Sequence, residues 1–144
     1  MEILFIIGLF VIGYLYFDER PVKIIAVHKT DYDAVIIVDR LPYLDKKKIA
    51  WWIKNKNDIL QRYSISDEGK NGPIEYSIFP FGDGYQPLGK EDRLCFDDMA
   101  EPNNCIDKGW LMAVWRTYKG EEKYITDSGR YMQDNKGTIY KVDE

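Results

Sequence analysis

The chain has 144 residues, a formal charge of −4, 45% hydrophobic residues and 31% charged ones. That length holds one domain, and the mixture fits neither a disordered chain nor a bundle wholly immersed in lipid. An acidic chain lacks the basic surface nucleic acid requires, and one His with two Cys is too few for most zinc or haem sites, so no nucleic acid, metal or cofactor is expected.

Residues 3–17 (ILFIIGLFVIGYLYF) come first, without a charge, between Glu2 and Asp18-Glu19-Arg20-Pro21. As a helix they reach roughly 22 Å, against about 30 Å of bilayer hydrocarbon. Tyr14 and Tyr16 suit the headgroup level and Arg20 can snorkel, which stretches the workable length. Pro21 ends the helix by pushing Arg20 toward extended geometry. A cleaved signal peptide would need a basic start and small residues ahead of the cut, and neither is present. A buried core helix is the other alternative, but the run has no polar face. The expectation is a single transmembrane anchor over residues 1–20 and a folded α+β domain over residues 21–144.

Beyond the anchor, residues 22–27 (VKIIAV) and 34–38 (AVIIV) are β-branched runs with a polar connection and predict a hairpin. Arg40-Leu41-Pro42 breaks the second strand, and Asp45 can cap a helix running to about Tyr63. Ile49, Trp52, Ile53, Ile59, Leu60 and Tyr63 recur at helical spacing along one side of it. Residues 66–73 form a polar, turn-rich loop, residues 74–79 alternate as a strand stopped by Pro80, and residues 81–85 (FGDGY) mark a tight turn. Residues 91–108 read largely as loop around Cys95 and Cys105. Strands at 110–118, 123–126, 130–133 and 138–142 follow, separated by glycine turns. The sum is a small antiparallel-sheet domain with one main helix behind an N-terminal transmembrane helix.

Several strings in this chain belong together. Arg20-Pro21-Val22, Ile25-Ala26-Val27-His28, Trp51-Trp52-Ile53-Lys54-Asn55-Lys56, Phe81-Gly82-Asp83-Gly84-Tyr85, Asp92-Arg93-Leu94-Cys95-Phe96-Asp97-Asp98-Met99 and Asn104-Cys105-Ile106 span most of the region after residue 20. They resemble the enterobacterial domain-of-unknown-function family 943, described as small inner-membrane proteins. The resemblance implies a bacterial envelope location and supplies no catalytic residues. It also bears on orientation. Arg20, Lys23 and Lys29 follow the apolar run, so the positive-inside rule would keep the domain cytoplasmic. Cys95 and Cys105 are either two unrelated buried thiols or a disulfide across a short loop, which requires an oxidising compartment. The envelope resemblance favours the disulfide and a periplasmic domain.

Chemistry is sparse. Trp51 points away from the apolar helical stripe, on the side of Lys47 and Lys54, and the three make a candidate partner surface. The carboxylates Asp92, Asp97 and Asp98, with Glu91, Glu101 and Asp107 nearby, match no calcium-loop spacing and read first as turn and ion-pair residues. His28 has no Cys or Ser partner at recognisable spacing, and no serine elbow or phosphate-binding glycine loop occurs, so neither catalysis nor nucleotide binding is expected. The leading reading is a single-pass inner-membrane protein, in contact with the bilayer through its N-terminal helix, that displays a periplasmic domain binding an envelope protein. An immunity or accessory role beside a secreted toxin is one form of it. The alternatives are a glycan-acting enzyme using the carboxylates between Asp92 and Asp98, and a cytoplasm-facing membrane subunit.

Overall fold

The computed structural model describes residues 1–66, 72–117 and 119–143, the side chain of Phe17 excepted. Its elements are α1 (Glu2–Glu19), β1 (Ile24–Lys29), β2 (Asp33–Val38), α2 (Asp45–Arg62), β3 (Glu75–Pro80), β4 (Arg93–Cys95), β5 (Cys105–Asp107), β6 (Met112–Arg116), β7 (Glu122–Thr126), β8 (Gly129–Gln133) and β9 (Ile139–Val142). Seven strands make one sheet in the order β1-β2-β3-β6-β7-β8-β9, while β4 and β5 pair separately. This is a β-sheet-rich domain with two helices among the described residues.

Strand periodicity divides the apolar residues between two layers. Ala34, Ile36 and Val38 of β2, Tyr76 and Ile78 of β3, Met112 and Val114 of β6, and Tyr124 and Tyr131 face one side. There they pack on Ile49, Trp52, Ile59 and Leu60, the buried stripe of α2. Ile37 of β2 and Phe79 of β3 point to the opposite side and meet Phe96 and Ile106, contributed by the β4–β5 arm. Both faces of the central strands are therefore covered, by a helix on one side and a small arm on the other.

The structure corrects the expected fold class in two respects. Among the described residues no helix is long and apolar enough to cross a membrane, so the expected transmembrane anchor over residues 1–20 is not supported. The reason lies in its ends: α1 has 18 residues, but Glu2, Asp18 and Glu19 leave only the fifteen between them uncharged. That stretch is about 8 Å shorter than the hydrocarbon core. The sheet is also not wholly antiparallel. Strands β2 and β3 run parallel, in register from Asp33 opposite Glu75 to Val38 opposite Pro80. A helix inserted between two strands carries the chain back to the starting end, and α2 does this here.

Smaller differences follow from local chemistry. The predicted cap at Asp45 does not form: Leu44 precedes the helix without a side-chain cap. The Asp45 carboxylate instead accepts the hydroxyls of Thr126 (2.9 Å) and Tyr131 (3.0 Å), which ties α2 to the β7–β8 hairpin. The region expected as loop around the cysteines contains β4 and β5, paired through Arg93 with Asp107, Leu94 with Ile106 and Cys95 with Cys105. Most of the predicted polar loop (67–71) and the strand end at Tyr118 lie outside the described residues.

The Asp45 tie gives the domain an acid dependence. Burial works to raise the pKa of Asp45, but the side chains of Thr126, Ser128 and Tyr131 and the Lys48 ammonium outweigh it and hold the pKa below its ordinary 3.8. A carboxylate with a depressed folded pKa stabilises fully above the unfolded value and loses that contribution as pH falls through the folded one. Urea midpoints should therefore fall as pH drops through and below the ordinary carboxylate value of 3.8, and Asp45→Asn, which keeps the shape without the charge, should show a shallower fall.

Candidate functional site

Two places gather polar and apolar groups in ways the core does not require. The first is the root of α1. Every large side chain described from Ile3 to Tyr16 is exposed, so no part of the domain covers this helix. Only its last turn is fixed. The buried Asp18 carboxylate accepts the backbone N–H of Tyr43 (2.8 Å) and the Lys47 ammonium (3.3 Å). Arg40 donates to the carbonyls of Asp18 and Arg20. The Tyr43 N–H, together with Lys47 and Arg40, outweighs burial and lowers the Asp18 pKa. The carboxylate is thus held ionised between the end of α1 and the loop that enters α2.

The second place is the clasp over the β4–β5 arm. His28, on edge strand β1, is only 10% exposed. Its Nδ1 lies 2.8 Å from both carboxylate oxygens of Asp98 and its Nε2 lies 2.8 Å from the Tyr85 hydroxyl. Phe96 stacks on the ring at 3.8 Å with an interplanar angle of 11°. A carboxylate only accepts, so Nδ1 donates to Asp98; in the neutral ring Nε2 then accepts from Tyr85. Burial and the Asp98 charge raise the Tyr85 pKa, which keeps that phenol a donor. The arrangement fastens Asp98 and Phe96 to the sheet edge, beside a cleft of about 450 Å³ lined by His28, Thr30, Asp33, Val35, Phe96 and Asp98. The Cys95–Cys105 disulfide joins β4 and β5 at the end from which the 96–104 connection leaves.

The expected site residues are distributed as follows. Lys47 is engaged with Asp18, Trp51 is half-buried and packs against the α2 core, and Lys54 is exposed, so the three do not form one free patch. The acidic stretch is divided among different partners. Asp92 pairs with Lys108 (2.8 Å), Glu91 and Asp107 both pair with Arg93 (3.0 and 2.9 Å), and Asp98 belongs to the clasp.

Sequence reading missed the clasp and one exposed tryptophan. His28 finds its partners 57 and 70 residues away, a distance no motif spacing reports. Trp115 points to the sheet face opposite α2, 39% exposed, with the Arg130 guanidinium 5.3 Å from its ring centroid. Its only signal was its strand position opposite that of Val114.

Comparison with known proteins places the chain. The family described as Enterobacterial putative membrane protein (DUF943) matches residues 1–143. The chain belongs to this family. Neither a curated protein nor a solved structure matches it. The DUF943 match covers α1 and the whole folded domain, so the uncovered apolar helix is part of what the family description calls a membrane protein.

Proposed function

We propose that this DUF943 chain is an envelope protein held at the membrane by lipid contact along α1, and that its domain acts by binding another protein rather than by catalysis. Contact with lipid is proposed, not passage across the bilayer. The observation that carries this is the bare apolar surface of α1 in a chain of a membrane-protein family. Twelve large apolar or aromatic side chains on α1 are exposed. Moving such a surface from water into hydrocarbon is favourable by on the order of 20 kcal/mol. A helix apolar all round suits lipid better than a protein groove, which would leave part of it wet.

The Cys95–Cys105 disulfide supports a domain on the oxidising, periplasmic side. Trp115 with Arg130 supplies the residue types that dominate protein contacts, on a sheet face the arm leaves open. An immunity or accessory role at a toxin-secretion locus is one form such binding takes. The test is flotation of the full chain with phosphatidylcholine vesicles. The wild type is expected to float, and Ile6→Lys with Phe10→Lys should weaken partitioning by at least about a hundredfold, because each buried ammonium costs several kcal/mol. Equal flotation of the variant would refute lipid contact through α1.

A further inference from the structure

The root of α1 carries more than the Asp18 clamp. Because Asp18 accepts the Tyr43 N–H at 2.8 Å, the loop ahead of α2 is fixed beside the last turn of the apolar helix. At that level Tyr43 is 75% and Leu44 52% exposed, although both directly precede a helix whose Ile49, Trp52, Ile59 and Leu60 are buried. Tyr14 and Tyr16 are exposed on α1 close to the same level. Tyr43 and Leu44 thus lie at the foot of the apolar helix, and Tyr14 and Tyr16 lie within about one helical turn of Asp18 along it. Tyrosine is the residue that membrane–water interfaces collect.

The charges nearby match such an interface. Segments 18–23 and 39–48 contain six cations, Arg20, Lys23, Arg40, Lys46, Lys47 and Lys48, against the four carboxylates Asp18, Glu19, Asp39 and Asp45. Two of those carboxylates are turned inward, Asp18 to Tyr43 and Lys47 and Asp45 to Thr126 and Tyr131. Lys23 and Lys46 are exposed. Asp127 lines the same face as Tyr43, Leu44 and Lys46, so the corner holds these six cations against five carboxylates, a slight positive excess in a chain of net charge −4.

We infer that the α1 root and the Tyr43–Leu44 loop form a platform that rests on anionic phospholipid headgroups, with Tyr43 and Leu44 dipping below them and Lys23 and Lys46 meeting their phosphates. This rests on the lipid contact proposed for α1 and adds a preference for anionic lipid and a fixed face of the domain turned to the membrane. Continuity with α1, whose surface is apolar all round, selects lipid over a second copy of the chain. The clamp gives the platform its rigidity: Asp18 locks loop and helix together, so their side chains enter the interface as one surface.

Flotation of the full chain with two vesicle compositions tests this, phosphatidylcholine alone and phosphatidylcholine with about a quarter phosphatidylglycerol. The wild type should partition about tenfold more strongly into the anionic vesicles at low salt, and the advantage should shrink as salt screens it. Lys23→Glu with Lys46→Glu should erase that advantage and leave partitioning into phosphatidylcholine unchanged. Tyr43→Ser with Leu44→Ser should weaken both severalfold, with an unaltered thermal midpoint because neither side chain is in the core. A wild type indifferent to phosphatidylglycerol, or a charge variant that keeps the preference, overturns the platform while leaving α1 contact standing. Failure of the wild type to float with either vesicle overturns both. Loss of a dimer on Tyr43→Ser with Leu44→Ser assigns the patch to a second copy and overturns the lipid assignment.

Discussion

Trp52→Ala should destabilise the domain by about 3–5 kcal/mol, a large part of the 5–15 kcal/mol that a domain typically has. The indole is fully buried between α2 and the sheet, with its centroid 4.9 Å from that of Tyr76. Its Nε1 donates to the Glu122 carboxylate at 3.1 Å, and the other oxygen of that carboxylate pairs with Lys56 at 3.3 Å. Truncation opens a cavity in the middle of the main core and removes a donor from a largely buried carboxylate, two costs that add. Trp52→Phe separates them in part: it keeps one aromatic ring in the core and loses the N–H together with part of the indole volume, so it should cost less, about 2–3 kcal/mol. Urea denaturation of the full chain in mild detergent, which covers α1, measures both. Equal losses for the two variants would show that the hydrogen bond, and not the packing, dominates at this position.

The same residue shows why part of the fold could be read from sequence. Trp52 recurs with Ile49, Ile59 and Leu60 at helical spacing, and one stripe facing one sheet is all that such a pattern needs to encode. The β6–β9 meander was readable for a similar reason, because each of its connections is short and glycine-marked. The parallel pairing of β2 with β3 was not, since nothing within either strand reports which way its neighbour runs. The arm was hidden because β4 and β5 have three residues each, too few for an alternation to show. The apolar run at residues 3–17 is plain in the sequence, but its charged boundaries set a length short of a bilayer, so apolar character alone does not make it a span. At the candidate sites the failure is one of distance. Asp18 meets Tyr43 across 25 residues and His28 meets Asp98 across 70, and only the folded domain brings them together.

Loss of the Cys95–Cys105 disulfide should cost about 3 kcal/mol, because the bond closes a loop of sequence separation 10 and removes that entropy from the unfolded chain. Cys95→Ser with Cys105→Ser, or reduction of the wild type, should lower the urea midpoint by the corresponding amount. The loss should begin at the arm, where Phe96 and Ile106 cover Ile37 and Phe79 and the clasp at His28 supplies the remaining anchor. Proteolysis of the reduced protein should therefore start at Arg93 or Lys108 before the main core opens. Cleavage first within the β6–β9 meander would show that the bond stabilises the whole domain and not the arm. The thiols also report on location. In the periplasmic placement proposed above, the bond adds to an arm cluster in which Ile37, Phe79, Phe96 and Ile106 are buried and its other apolar members, among them Leu94, Met99 and Trp110, are only half-buried. Cells lysed with the thiols blocked should accordingly yield the oxidised form. Two free sulfhydryls would place the domain in a reducing compartment, where the clasp and those contacts alone must hold the arm closed.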